Sequence, residues 1–209
     1  MKKQVSLSIG ALQKKYGDQK ALHIAARIGV DAVDFDLCGA QNDYRTPNSL
    51  YSKGPQAVLE YYTALKKFAQ KNGIFIGQTH GKMSGFVNRP AEDDALVKNT
   101  ELDCLATAAL GAGVCVVHNA TSIFLGPNPE PALMYRLSYE LFSRTIPFAL
   151  KNGIKIATET FGDAVKYSAC DFFGNFSAFE KAYLDIASRP ELRGGFTVCV
   201  DTGHSNKAM

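Results

Sequence analysis

The sequence predicts an α/β protein in which a parallel sheet is covered by helices. Three observations carry this reading. Strand-like and helix-like stretches alternate along the chain, the helices leave by a recurring glycine exit, and polar residues close most strands in one phase. The chain has 209 residues, 46% of them apolar, which is enough for one sizeable core, so a single domain over residues 1–209 is expected.

The elements follow in order. Val5–Ile9 alternates Val5, Leu7 and Ile9 with Ser6 and Ser8, the period of a strand. A helical stretch follows that contains His23, read as non-functional, and Ala32–Leu37 is the second strand. Pro55–Lys71 places Val58, Leu59, Tyr62, Leu65, Phe68 and Ala69 on one stripe, the mark of an amphipathic helix, and Ile74–His80 is the third strand. The next helix starts at Pro90, with Glu92, Asp93 and Asp94 in its first turn. Proline lacks only an N–H that would be unsatisfied there, and the acids suit the positive end of the helix dipole. Val114–His118 is the fourth strand. Pro131–Lys151 is a helix with an expected kink at Pro147. Ile154–Glu159 and Phe196–Asp201 complete the set. Lys71-Asn72-Gly73-Ile74 and Lys151-Asn152-Gly153-Ile154 have the same form, and Gly29 and Gly111 lie in related exits. Each offers a glycine for the left-handed turn that ends a helix.

Phase distinguishes a closed barrel from an open doubly wound sheet. If the last polar residue of each strand points inward, then Val5, Leu7, Ile9, Val33, Phe35, Leu37, Ile154, Ile156, Phe196, Val198 and Val200 point outward. The inward set is smaller or polar: Ser6, Ser8, Asp34, Asp36, Lys155, Ala157, Thr197 and Cys199. A barrel with a polar mouth has this pattern. No GxGxxG follows the first strand, which removes the main support for a dinucleotide fold. The strands recur roughly every 27 to 42 residues, and an eight-unit barrel at that spacing needs on the order of 280 to 300 residues. From the residues alone, the chain is either a barrel lacking two units or another fold.

The strand ends carry the chemistry. The third closes on Thr79-His80, the fourth on His118-Asn119, the fifth on Thr158-Glu159 and the sixth on Asp201-Thr202-Gly203-His204. In a parallel barrel these ends meet on one face, where βα loops build active sites. Carboxylate oxygens with imidazole nitrogens suit manganese, zinc, cobalt or iron better than all-oxygen magnesium. One divalent metal held by Glu159 and Asp201, with further ligands from later strands, is expected to act as a Lewis acid. A carboxylate at an inward position such as Glu159 is costly to bury unpaired.

Several classes are excluded. No apolar run reaches the length of a membrane span, and the N-terminus lacks the apolar region of a secretory signal. Five cysteines, an odd count without CxxC spacing, argue for a cytoplasmic location over a disulfide framework, with Cys115 and Cys199 read as buried thiols. A net charge of +3 is too small to argue for nucleic acid. The aromatic loop Phe161–Phe179 suits a small polyol or a subunit contact, and Arg45, Lys82 and Arg89 lie in strand-end loops as solvated charges or phosphate ligands.

At Thr197-Val198-Cys199-Val200-Asp201-Thr202-Gly203-His204, with Glu159 some 40 residues earlier and His80 and His118 at two strand ends, the sequence resembles the xylose isomerase-like TIM barrel superfamily. The resemblance covers essentially the whole chain. It implies a (β/α)8 TIM barrel of which about six βα units are present and the two C-terminal units missing. It further implies a divalent-metal-dependent (Mn, Zn, Co or Mg) sugar, sugar phosphate or polyol isomerase or epimerase, working by proton transfer through a metal-stabilised enediolate. Glu159 would be ligand and acid/base group, and Asp201 a second ligand. His80, His118 and His204 would bind substrate, or metals in the abasic-site endonucleases of the same superfamily. A small sugar or polyol substrate and a homo-oligomer are expected, without membrane or nucleic acid. The alternatives are such an endonuclease and a truncated barrel without catalysis.

Overall fold

The computed structural model of the protein describes residues 5–120, 125, 129–159 and 176–201. Its elements are β1 (Ser6–Ser8), α1 (Gly10–Tyr16), α2 (Asp18–Ile28), β2 (Ala32–Asp36), α3 (Pro55–Lys71), β3 (Phe75–His80), α4 (Pro90–Leu110), β4 (Val114–Val116), α5 (Pro131–Lys151), β5 (Lys155–Glu159), α6 (Phe176–Ala187) and β6 (Phe196–Cys199). Short 3-10 turns at Ala40–Asn42 and Tyr51–Lys53 shape the β2–α3 connection.

The six strands form one parallel sheet in the order β1-β2-β3-β4-β5-β6. A doubly wound sheet reverses its order at a switch point, and this one does not. Crossovers of one hand that always advance in one direction put every helix on one face and leave the other to the barrel interior. This is the βα array of a TIM barrel, with six of the eight units that the whole fold contains.

The helix-facing side is the core. Val33, Phe35 and Leu37 pack with Leu22, Val58, Tyr62 and Leu65 in one cluster, and Ile154, Ile156 and Phe196 pack with Leu137, Leu141, Phe142 and Ile186 in a second. The α4 helix contributes Leu102 and Ala106 to the first and Leu96 and Cys104 to the second, which joins them. The predicted phase holds through β2 and β5. It weakens at the outer strands, where Val5 and Val200, expected against helices, are 60% and 67% exposed because no described helix covers them.

The three long proline-started helices end where the glycine exits predict, with Gly73, Gly111 and Gly153 at φ 73°, 81° and 70°. Pro147 is accommodated inside α5. The stretch between β1 and β2 is two helices, broken at Gly17 with φ 79°. Strands β1, β4 and β6 are shorter than the runs Val5–Ile9, Val114–His118 and Phe196–Asp201 expected for them.

Candidate metal centre on the inner face

Residues paired in register across a parallel sheet share a face, so the ladder fixes what lines the interior. Asp36, His80, Val116, Ala157 and Thr197 form one row across β2 to β6. Glu159 and Cys199 pair in the next row up, at the level His118 reaches two residues beyond Val116. A bulge keeps this alignment. Val33 pairs with Ile76 but Asp34 pairs with Gln78, so β3 skips Gly77 and turns Gln78 and His80 inward. Cys199 therefore lies on the inner face, as its phase predicts, but half-buried rather than buried as its apolar run suggests.

Three of the expected side chains converge. His118 Nε2 lies 3.2 Å from Glu159 Oε2, His80 Nε2 lies 3.6 Å from the same oxygen, and the two Nε2 atoms are 3.3 Å apart. One ligand atom from each falls within 4.8 Å of the other two. His118 and Glu159 are buried, at 1% and 6% exposure, whereas the His80 side chain keeps 21% and forms the solvent side of the cluster.

The opposite nitrogens are already committed. His80 Nδ1 donates to Asp34 Oδ2 at 3.1 Å, and His118 Nδ1 donates to the Lys82 carbonyl oxygen at 2.9 Å. Carbonyl and carboxylate oxygens only accept, so each Nδ1 carries a proton, and two rings without a second proton would turn both Nε2 lone pairs toward Glu159. Two lone pairs and a carboxylate oxygen at these distances repel unless a positive charge sits among them. In the protein alone that charge is a proton. Burial pushes His80 down, but the hydrogen bonds and charges of Asp34 and then Glu159 prevail and push it up to about 10. Burial likewise pushes Glu159 up, and His118 and then His80 overcome this and hold its carboxyl well below the usual range. The same three atoms fit a divalent cation that accepts imidazole, and oriented Nδ1 partners are the usual support of histidine ligands.

Asp201 follows β6, partly buried, and stands outside the three-residue cluster. His204 and most of the Phe161–Phe179 loop lie outside the described residues. Asp36 accepts from the Cys38 N–H at 2.6 Å and abuts Gly10, where a Cβ would stand 2.7 Å from its Oδ2. It shapes the loop after β2. The partners that orient the histidines, Asp34 and the Lys82 carbonyl, were not singled out from the sequence. The inward phase of Asp34 was the available signal. A backbone carbonyl leaves none.

A singly wound parallel sheet with histidine and carboxylate gathered at its carboxyl ends defines an α/β barrel protein with a rim suited to a cation. The chain belongs to the xylose isomerase-like TIM barrel family, whose family model matches residues 22–209. Solved structures with the same fold include 3-keto-D-glucoside 4-epimerase from E. coli (TM-score 0.71, 11% identity, 98% of this chain and 70% of that one). D-psicose 3-epimerase follows at TM-score 0.67, 15% identity and 98% against 65% coverage. A D-tagatose 3-epimerase-like protein gives TM-score 0.69, 16% identity and 98% against 67%. The chain thus spans about two thirds of the length of these structures. No curated protein matches the sequence.

Proposed function

We propose that the protein is a divalent-metal-dependent isomerase or epimerase of a small sugar or polyol. The observation that carries this is the convergence of His80 Nε2, His118 Nε2 and Glu159 Oε2 with both Nδ1 protons held by acceptors. Similarity of fold to solved sugar epimerases supports the substrate class. His80, His118 and Glu159 would hold the ion, with Asp201 as a further ligand from the next strand. When bound, a divalent ion supplies Lewis-acid stabilisation of charge developing on a carbonyl oxygen.

The chain's own residues set the rest. A proton next to a carbonyl is too weakly acidic for an unaided base, so the acceptor must be a carboxylate held near that carbon. Glu159 is the carboxylate we assign to this transfer. A carboxylate stabilised by two histidines is a weak base, so its proton-accepting capacity rises only when the positive charge on His80 is removed. Asp34 and Lys82 keep the two rings aimed while that happens. Val116 and Ala157 in the row beneath give the site an apolar floor.

The test is solvent exchange. The protein, loaded in turn with Mn2+, Co2+, Zn2+ and Mg2+, is incubated with ketohexoses and ketopentoses in D2O. Deuterium should enter at the carbon beside the carbonyl, and Glu159→Gln should abolish it. No incorporation with any metal and sugar overturns the proposal. An abasic-site endonuclease is the second reading, because the resemblance assigns metals to His80 and His118 in that class. Binding of abasic DNA that weakens steeply with salt would favour it, and no affinity at low salt would eliminate it.

A further inference from the structure

The β2–α3 and β3–α4 connections and the start of α4 enclose a pocket of about 280 Å3 whose charged lining is Arg45, Lys82 and Arg89 against Asp43 and Glu92. That is the small end of the range for ligand pockets. Its charges are unevenly matched. Arg45 is held by Asp43 and Glu92, at 3.4 and 3.0 Å. Neither Lys82 nor Arg89 has a carboxylate within ion-pair distance among the described residues. Lys82 Nζ, half-buried, donates only to the carbonyls of Cys38 and Gly39, at 3.3 and 3.2 Å, and retains a third N–H. The Arg89 guanidinium makes no hydrogen bond or ion pair within the described structure; only its backbone N–H is engaged, by Asp93.

The loop that carries both cations is fixed. A Cβ on Gly85 would stand 2.2 Å from the Asn119 carbonyl oxygen, and one on Gly81 3.0 Å from that of Val116, so the loop lies directly on the β4 end. Asn88 adopts φ 59°, a conformation that costs a non-glycine residue energy, and Arg136 Nη2 donates to its side chain at 3.1 Å. Asp93 accepts from the N–H groups of both Val87 and Arg89. Cations placed on a rigid loop bind without the entropy loss of ordering it. The pocket also adjoins the cluster through the backbone. Lys82 supplies the carbonyl that orients His118, and Gly85 rests on the residue after His118.

We propose that this pocket is an anion subsite, in which Lys82 and Arg89 seat a phosphate or carboxylate carried by the substrate of the adjoining centre. The proposal rests on reading that centre as the substrate site, but its test does not. The full chain, stripped of metal with EDTA, is titrated calorimetrically with inorganic phosphate and, separately, with acetate, at constant ionic strength in chloride. At least one anion should saturate the protein, and the tighter of the two identifies the group. Arg89→Ser and Lys82→Met should each weaken that binding about tenfold, the loss of one charge-assisted contact, with thermal unfolding unchanged for Arg89→Ser and Co2+ binding retained in both. No saturable binding of either anion, or equal affinity in wild type and both variants, overturns the proposal. Anion binding that persists where Co2+ does not bind leaves the subsite standing and removes the metal-centre reading instead.

Discussion

Binding of a divalent ion to the inner face should expel one proton from the protein at neutral pH. In the metal-free protein His80 is pushed up to about 10 by Asp34 and Glu159 against the opposing effect of burial, so at pH 7 it is an imidazolium whose Nε2–H points into the cluster. An imidazole must lose that proton to become a ligand. At pH 7, about three units below the value for His80, the proton competes by roughly a thousandfold, or about 4 kcal/mol. Apparent affinity should therefore rise about tenfold per pH unit from pH 6.5 to 9 and level off near 10. Calorimetric titration with Co2+ in two buffers of different ionisation heat at pH 7.5 measures the proton count directly. About one proton per ion is expected. In Asp34→Asn, where the partner of the His80 Nδ1–H loses its negative charge, the count should fall and the pH dependence flatten. Wild-type binding that releases no proton and does not change with pH would refute the reasoning.

Further outcomes follow from the same geometry. Glu159→Gln removes the only anionic member of the cluster, so Co2+ affinity should fall at least as far as the roughly 10- to 100-fold typical of losing an orienting partner, read by equilibrium dialysis with circular dichroism unchanged. The metal-free protein should lose stability as pH rises through about 10, because the contribution of His80 is complete below its unfolded value near 6.5 and vanishes once the folded form deprotonates; urea unfolding compared with Asp34→Asn reads this. Asp103 in α4 is buried, with Tyr51 donating to Oδ1 at 2.5 Å and Oδ2 unpartnered, and burial pushes it up to about 7 despite that hydrogen bond. The folded state then holds an extra proton between about 4 and 7, so stability falls across that window by up to roughly 4 kcal/mol, and Asp103→Asn should flatten the fall in urea titrations. Gly85→Ala should cost roughly 1–3 kcal/mol, since its methyl meets backbone that cannot rotate away; an unchanged unfolding midpoint would contradict the loop packing.

The parts of the fold legible in the sequence are those written in local chemistry. Pro55 and Pro131 set helix starts, and the Lys-Asn-Gly exits set the ends, because proline and left-handed glycine act within one turn. The inward phase of Asp34, Asp36 and Glu159 was legible because alternation has a period of two. The break at Gly17 was not, since α1 is too short for a stripe to define it. The bulge at Gly77 was not either, because register depends on the neighbouring strand. Glu159, His80 and His118 were all visible as candidates. That one nitrogen from each histidine and one Glu159 oxygen come within reach of each other depends on the diagonal reach of His80 from one row to the next and on a backbone carbonyl, neither of which a linear sequence contains.

Anomalous diffraction from Co2+-soaked crystals at the cobalt edge tests the central claim most directly. The account predicts a single strong peak bonded to His80 Nε2, His118 Nε2 and a Glu159 oxygen. A cobalt site that excludes both histidines, or crystals that take up no ion there at pH 8, would contradict it.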